Sequence, residues 1–271
     1  MSIDTFSKED LIERLKEISN QGWIKNARHG NDGGVGNTLE DCLGITENNL
    51  PIPNASEWEL KTQRFGTASL TTLFHVEPSP RACKFVPSLL LPKYGWKHKE
   101  AGKKHPEDEM SFRMTITTKR SDRGFCVKID RKNEKVLISF DADSIDERHI
   151  EWRSDLKKGV GLKELDPQPY WGFKDLEHKA GEKLLNCFYV QADVKKKDGA
   201  EWYWYRKVQM LQRFSFEGFL KAIESDVLFV DFDARTGHNH GTKFRLKQGA
   251  FPKLYEKVTT IVENEEGEFE L

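Results

Sequence analysis

The segment Glu57-Trp58-Glu59-Leu60-Lys61 alternates acid, apolar, acid, apolar, base. A strand sends successive side chains to opposite faces, whereas a helix would scatter these five around its circumference. The pattern therefore predicts a short strand with Trp58 and Leu60 on a covered face and Glu57, Glu59 and Lys61 on the other. A carboxylate and an ammonium two residues apart over an apolar underside suit metal-assisted cleavage of a phosphodiester. The carboxylate holds the metal and the lysine orients or deprotonates the attacking water. On these residues alone, an ion pair on a solvated face accounts for the pattern equally well.

The rest of the chain supplies an α+β frame with a mixed central β-sheet flanked by helices. Residues 7–21 read as a helix: Ser7 and Asp10 form an approximate capping box, Leu11, Ile12, Leu15 and Ile18 make one stripe, and Gly22 ends it. A glycine-rich loop follows over 30–36, then a short helix over 38–43 carrying Glu40. The strand of 57–63 comes next, and 68–76 reads as its hairpin partner. Residues 111–118, 124–130 and 135–140 read as a three-stranded meander. Residues 184–194 and 201–208 read as an antiparallel pair around a Lys-Lys-Lys-Asp-Gly turn. Beyond them lie a helix over 215–225, strands over 227–233 and 242–246, and a terminal helix over 252–262. The stretches 95–110 and 156–180 read as long loops. The whole, 1–271, is expected to be one domain, with catalytic and DNA-recognition lobes around a cleft.

Net charge is -1, which argues against a protein that coats nucleic acid indiscriminately. The distribution is uneven: between Arg81 and Lys135 there are fifteen Lys/Arg against seven Asp/Glu. That basic stretch suits a face that grips a polyanion, or an unevenly charged solvated surface. No apolar run is long enough for a membrane span. The start MSIDTFSKEDLIERL has no basic-then-apolar signal pattern. Cys42, Cys83, Cys126 and Cys187 are widely spaced and read as reduced thiols. A cytoplasmic protein with no membrane partner is the expectation.

Three further motifs carry chemistry. His238-Asn239-His240, after the apolar strand, has two histidines but no third ligand at useful spacing, so zinc is a poor reading. Imidazoles and an amide on a loop instead suit donors for guanine N7 and O6 in a major groove. His75 is a second candidate reader. Lys243 lies in the same block, and Arg245 suits a guanine, a phosphate or a neighbouring acid. The run Trp202-Tyr203-Trp204-Tyr205 reads as core packing rather than a base-stacking platform. Gly33-Gly34-Val35-Gly36 lacks a following G-K-[ST], so it is no nucleotide-binding loop.

Four blocks occur in order: Gly36-Asn37-Thr38-Leu39-Glu40, Glu59-Leu60-Lys61, Leu70 to His75, and His238 to Arg245. Together they resemble the MvaI/BcnI family of type II restriction endonucleases, related to the mismatch-repair nickase MutH. The resemblance spans nearly the whole chain. It implies a PD-(D/E)xK nuclease fold, Mg²⁺ as cofactor, double-stranded DNA as partner, a site of the CC-N-GG type, and a monomer that nicks each strand in turn. It makes Glu40, residue 54, Glu59 and Lys61 catalytic. Residue 54, Glu59 and the carbonyl of Leu60 would hold the metal. His75, His238, Asn239, His240, Lys243 and Arg245 would bind DNA, with His75 at the centre of the site.

The family carries aspartate five residues before the E-x-K glutamate, after a proline. Here Asn54 follows Pro53. Asparagine offers a neutral carbonyl where Mg²⁺ prefers an anionic oxygen. Asn54 is therefore expected to weaken metal binding and slow hydrolysis severely, giving an inactivated form. It stands there as an introduced knock-out, as the natural residue of a binding-only relative, or with Glu57 taking over as ligand. The alternatives to an endonuclease are a catalytically silent, sequence-specific DNA binder and a MutH-like nickase.

Overall fold

The computed structural model describes residues 7–26, 34–44 and 58–265. Asn54 and Glu57 lie outside the described residues. In chain order the first elements are α1 (Lys8–Asn20), β1 (Ile24–Lys25), α2 (Gly34–Leu43), β2 (Glu59–Arg64) and β3 (Thr71–His75). Then come α3 (Leu91–Tyr94), β4 (Trp96–Lys97), β5 (Met110–Ile116), β6 (Arg123–Asp130), β7 (Lys135–Ile145), α4 (Ile150–Lys158) and β8 (Tyr170–Gly172). The remainder is α5 (Phe173–Leu184), β9 (Asn186–Lys197), β10 (Ala200–Phe214), α6 (Phe216–Glu224), β11 (Leu228–Arg235), β12 (His238–Asn239), β13 (Lys243–Leu246) and β14 (Tyr255–Glu263). The class is α+β, as expected.

The chain forms two compact units. The first gathers residues 1–71, 181–218 and 248–271. Its sheet runs β1-β10-β9-β2, with β14 also on β10, and β2 is the edge strand among the described residues. Only the β2–β9 pairing is parallel; the others are antiparallel, so the sheet is mixed. One face is covered by α1 and α2. Leu11, Leu15 and Ile18 of α1 and Val35, Leu39 and Leu43 of α2 pack on Trp58, Leu60, Phe188, Val190, Tyr203 and Tyr205. The aromatic run is core, as expected: Tyr203, Trp204 and Tyr205 are all buried.

The second unit gathers residues 72–180 and 219–247. One sheet runs β3-β13-β11-β5-β4 with β12 on β11, and a smaller one runs β6-β7-β8. Aromatic rings knit its core: Phe112 meets Phe125 and Phe232 at 5.5 and 5.4 Å, and Phe125 meets Phe140 at 4.9 Å.

Several expectations fail for identifiable reasons. β3 is not the hairpin partner of β2 but joins the second unit's larger sheet beside β13. Apolar alternation says which face is buried, not which strand lies alongside. β5 likewise leaves the expected meander to pair with β11 and β4, while β6 and β7 form the remaining hairpin. The terminal helix is a strand. Pro252 opens only a short 3₁₀ turn over Phe251–Leu254, and β14 then pairs with β10 from Phe214↔Tyr255 to Lys207↔Glu263. Its Val-Thr-Thr-Ile-Val run is β-branched throughout, which favours a pleated surface over a helix. The stretch 156–180 is no plain loop, since it holds the end of α4, then β8 and most of α5.

Candidate active site

β2 fulfils its alternation. Trp58 and Leu60 are buried, Trp58 against the Phe188 ring at 4.8 Å. Glu59 and Lys61 face the other way, and Lys61 Nζ donates to Glu59 Oε1 at 2.6 Å. Their side chains are 12 % and 19 % exposed, so this is a largely covered pair rather than one on a solvated face. Parallel pairing places Glu59 opposite Cys187 and Lys61 opposite Tyr189 on β9. The next residue on that face, Gln63, accepts from the Tyr189 hydroxyl. Tyr255 donates to Cys187 Sγ at 2.9 Å. Burial pushes the Cys187 thiol up to about 12, which keeps it neutral.

Glu40 sits on α2, half-buried. The start of that helix lies by the Tyr203 hydroxyl, which is near Arg64 at one end of β2. Two residues on, a Cβ at Gly36 would lie 3.1 Å from Thr62 Oγ1, and Leu39 and Leu43 join the cluster around Trp58 and Leu60. α2 therefore runs antiparallel to β2. Glu40 follows Gly36 by one turn of the same helix. Leu60 faces the helix; Glu59 and Lys61 project from the opposite side of the strand. Among the described residues no group of three or more His, Cys, Asp and Glu forms a metal cluster.

The donor chemistry still fits a hard divalent cation. Mg²⁺ takes one or two carboxylates and completes its shell with water and phosphate oxygens. Glu59 offers one such carboxylate, largely shielded and held by Lys61. The position where the family carries a second carboxylate is Asn54 here, whose amide oxygen is neutral.

The candidate readers lie in the second unit. His75 ends β3; burial and then Lys243 lower its pKa, so it is neutral near pH 7. A Cβ at Gly241 would stand 3.5 Å from His75 Cδ2, which places the His238–Gly241 turn beside it. Glu77 accepts from Thr242 N and Oγ1 at 2.9 and 3.1 Å, and Asn239 Oδ1 accepts from Gly241 N at 3.0 Å. The His238 and His240 rings meet edge-on at 4.3 Å, exposed. Lys243 and Arg245 lie on β13, on the open face of the sheet.

On that face the sequence reading missed Arg113, Thr115, Asp231 and Asp233. Asp233 joins Lys243 at 3.4 Å and Arg113 at 3.1 Å. Asp231 joins Arg245 at 3.4 Å and accepts from Thr115 Oγ1 at 2.6 Å. With Thr72 they line a groove of about 520 Å³. Register explains the assembly: Asp231 stands opposite both Lys243 and Thr115, and Asp233 opposite Arg113. The signal was the Asp-Phe-Asp alternation of 231–233, which an apolar reading of that strand passed over.

The fold is shared with known structures. The restriction endonuclease MvaI in complex with its cognate DNA substrate matches with a TM-score of 0.72 and 22% identity, over 95% of this chain and 100% of that one. MvaI in the absence of DNA matches with a TM-score of 0.53 and 23% identity, over 96% and 100%. No curated protein matches the chain. The model of the MvaI/BcnI restriction endonuclease family matches residues 12–255. The chain thus belongs to the MvaI/BcnI restriction endonuclease family, and with it to the type II site-specific deoxyribonucleases.

Proposed function

We propose that this protein is built for Mg²⁺-dependent cleavage of double-stranded DNA at a short site rich in G·C pairs, of the CC-N-GG kind. The observation that carries the reading is the covered Glu59–Lys61 pair on an edge strand, at 2.6 Å. Glu59 and the Leu60 carbonyl would hold the ion together with an aspartate at position 54; Asn54 offers only a neutral amide oxygen there. Bound there, Mg²⁺ supplies positive charge against the scissile phosphate. Lys61 positions the water for in-line attack, and Glu40 orients Lys61 or holds a water. His75, His238, Asn239, His240, Lys243 and Arg245 contact the DNA. Arginine and histidine donate to guanine N7 and O6, and carboxylates such as Asp231 and Asp233 accept from cytosine N4, which suits G·C pairs. The protein acts as a monomer in the cytoplasm.

Asn54 favours a second reading, a silent binder that keeps the scaffold. Digestion of a defined plasmid with Mg²⁺, followed by sequencing of the ends, separates the two. The Asn54→Asp protein is expected to cut at one short repeated motif. The chain with Asn54 should cut the same motif more slowly by over about 100-fold, more than the outer partners of a metal site are usually worth. Selective binding with no cutting even by Asn54→Asp would establish the silent binder instead.

A further inference from the structure

Beside Glu59 stand two uncharged groups that the chemistry above does not use. Cys187 is its register partner, and adjacent strands lie roughly 4.8 Å apart, so thiol and carboxylate share one neighbourhood. Tyr255, the first residue of β14, donates its hydroxyl to Cys187 Sγ at 2.9 Å. Both side chains are buried. The Tyr255 ring is held by Phe251 at 5.8 Å and Phe214 at 6.2 Å. Glu59 is within electrostatic reach of both the thiol and the phenol.

A buried phenol needs an acceptor for its proton. The sulfur accepts it, and the Glu59 carboxylate, much the stronger acceptor, stands opposite Cys187 in the strand register. The hydroxyl nevertheless goes to sulfur, while the donor on Glu59 Oε1 is Lys61. We propose that Cys187 is a positioning residue: it occupies the Tyr255 hydroxyl and so leaves the Glu59 carboxylate to Lys61 and a divalent cation. The proposal rests on the reading of this strand as a metal-dependent nuclease site. Removing the sulfur turns the phenol towards Glu59, where it captures an oxygen the cation needs.

The test uses the full-length chain carrying Asn54→Asp, with Mn²⁺ as probe and the free ion counted by electron paramagnetic resonance. DNA affinity without metal, single-turnover cleavage and thermal midpoint are measured alongside. Cys187→Ala should weaken Mn²⁺ binding and cleavage by about 10-fold or more, the usual worth of a second-layer partner, with metal-free DNA affinity unchanged. Cys187→Val, which fills the space without an acceptor, should do the same. The double variant Cys187→Ala/Tyr255→Phe should recover most of the loss, because no phenol remains to capture Glu59. A role in packing alone predicts the reverse, with the double variant worst and metal affinity falling in step with the thermal midpoint. That result, or Mn²⁺ binding by Cys187→Ala equal to the parent's, overturns the proposal. If the Asn54→Asp parent itself neither binds Mn²⁺ nor cuts DNA, the nuclease reading falls and takes this one with it.

Discussion

Gly34 shows how a single missing methyl sets the entry to α2. A Cβ there would lie 2.4 Å from the Tyr203 hydroxyl and 2.8 Å from Asn26 Nδ2. Neither neighbour yields easily. Asn26 Nδ2 donates to Tyr203 at 3.2 Å, Thr38 donates to Asn26 at 3.2 Å, and Tyr203 donates to Glu201 at 2.7 Å. Glu201 in turn pairs with Arg64 at 3.0 Å. Gly34 and Gly36 therefore serve close approach of helix to sheet rather than a phosphate. Gly34→Ala should destabilise the protein by about 1–3 kcal/mol, the usual cost of overpacking, read as a lowered denaturant midpoint. Adding Tyr203→Phe should return part of it, since the nearest clashing atom is then gone. An unchanged midpoint in Gly34→Ala would contradict this packing.

Elements whose ends are written locally come out as their sequence says. α1 begins at a full capping box: Asp10 N donates to Ser7 Oγ at 3.1 Å, and Ser7 N donates to Asp10 Oδ2 at 3.2 Å. The helix buries Leu11, Leu15 and Ile18 against β10 and its neighbours. Ser7→Ala should cost about 1 kcal/mol, measured by thermal or denaturant unfolding, while Ser7→Asp should cost little because it still caps. A loss in Ser7→Asp as large as in Ser7→Ala would remove the cap from the account. β14 shows the opposite case. Its β-branched run permits a strand, but β10 supplies the hydrogen-bond partner that makes it one.

Both units are assembled from separated stretches of chain, so neither can be excised by a single cut. The last stretch of the first unit contributes the buried Phe251, Leu254 and Tyr255, and β14 completes the far side of β10. A chain ended after Lys247 should lose slow hydrogen exchange in β9 and β10 and bind no metal at Glu59. Intact protection of those strands in the truncated protein would refute this dependence. The same assembly distributes the chemistry: Glu40, Glu59 and Lys61 belong to the first unit, and His75, Lys243 and Arg245 to the second.

The sequence by itself determined what is governed by neighbours along the chain. It set the cap and stripe of α1, the alternation of 58–61, the β9–β10 hairpin around its Asp-Gly turn, and the block order that marks the family. Tertiary structure decided what depends on partners far away. β2 lies parallel to β9, β3 and β5 go to a sheet of the second unit, and Asp231 and Asp233 compensate Lys243, Arg245 and Arg113. The reason is physical. Periodicity reports which side of an element meets apolar surroundings, whereas strand order and the acceptor a buried hydroxyl finds are fixed only when separated strands come into register.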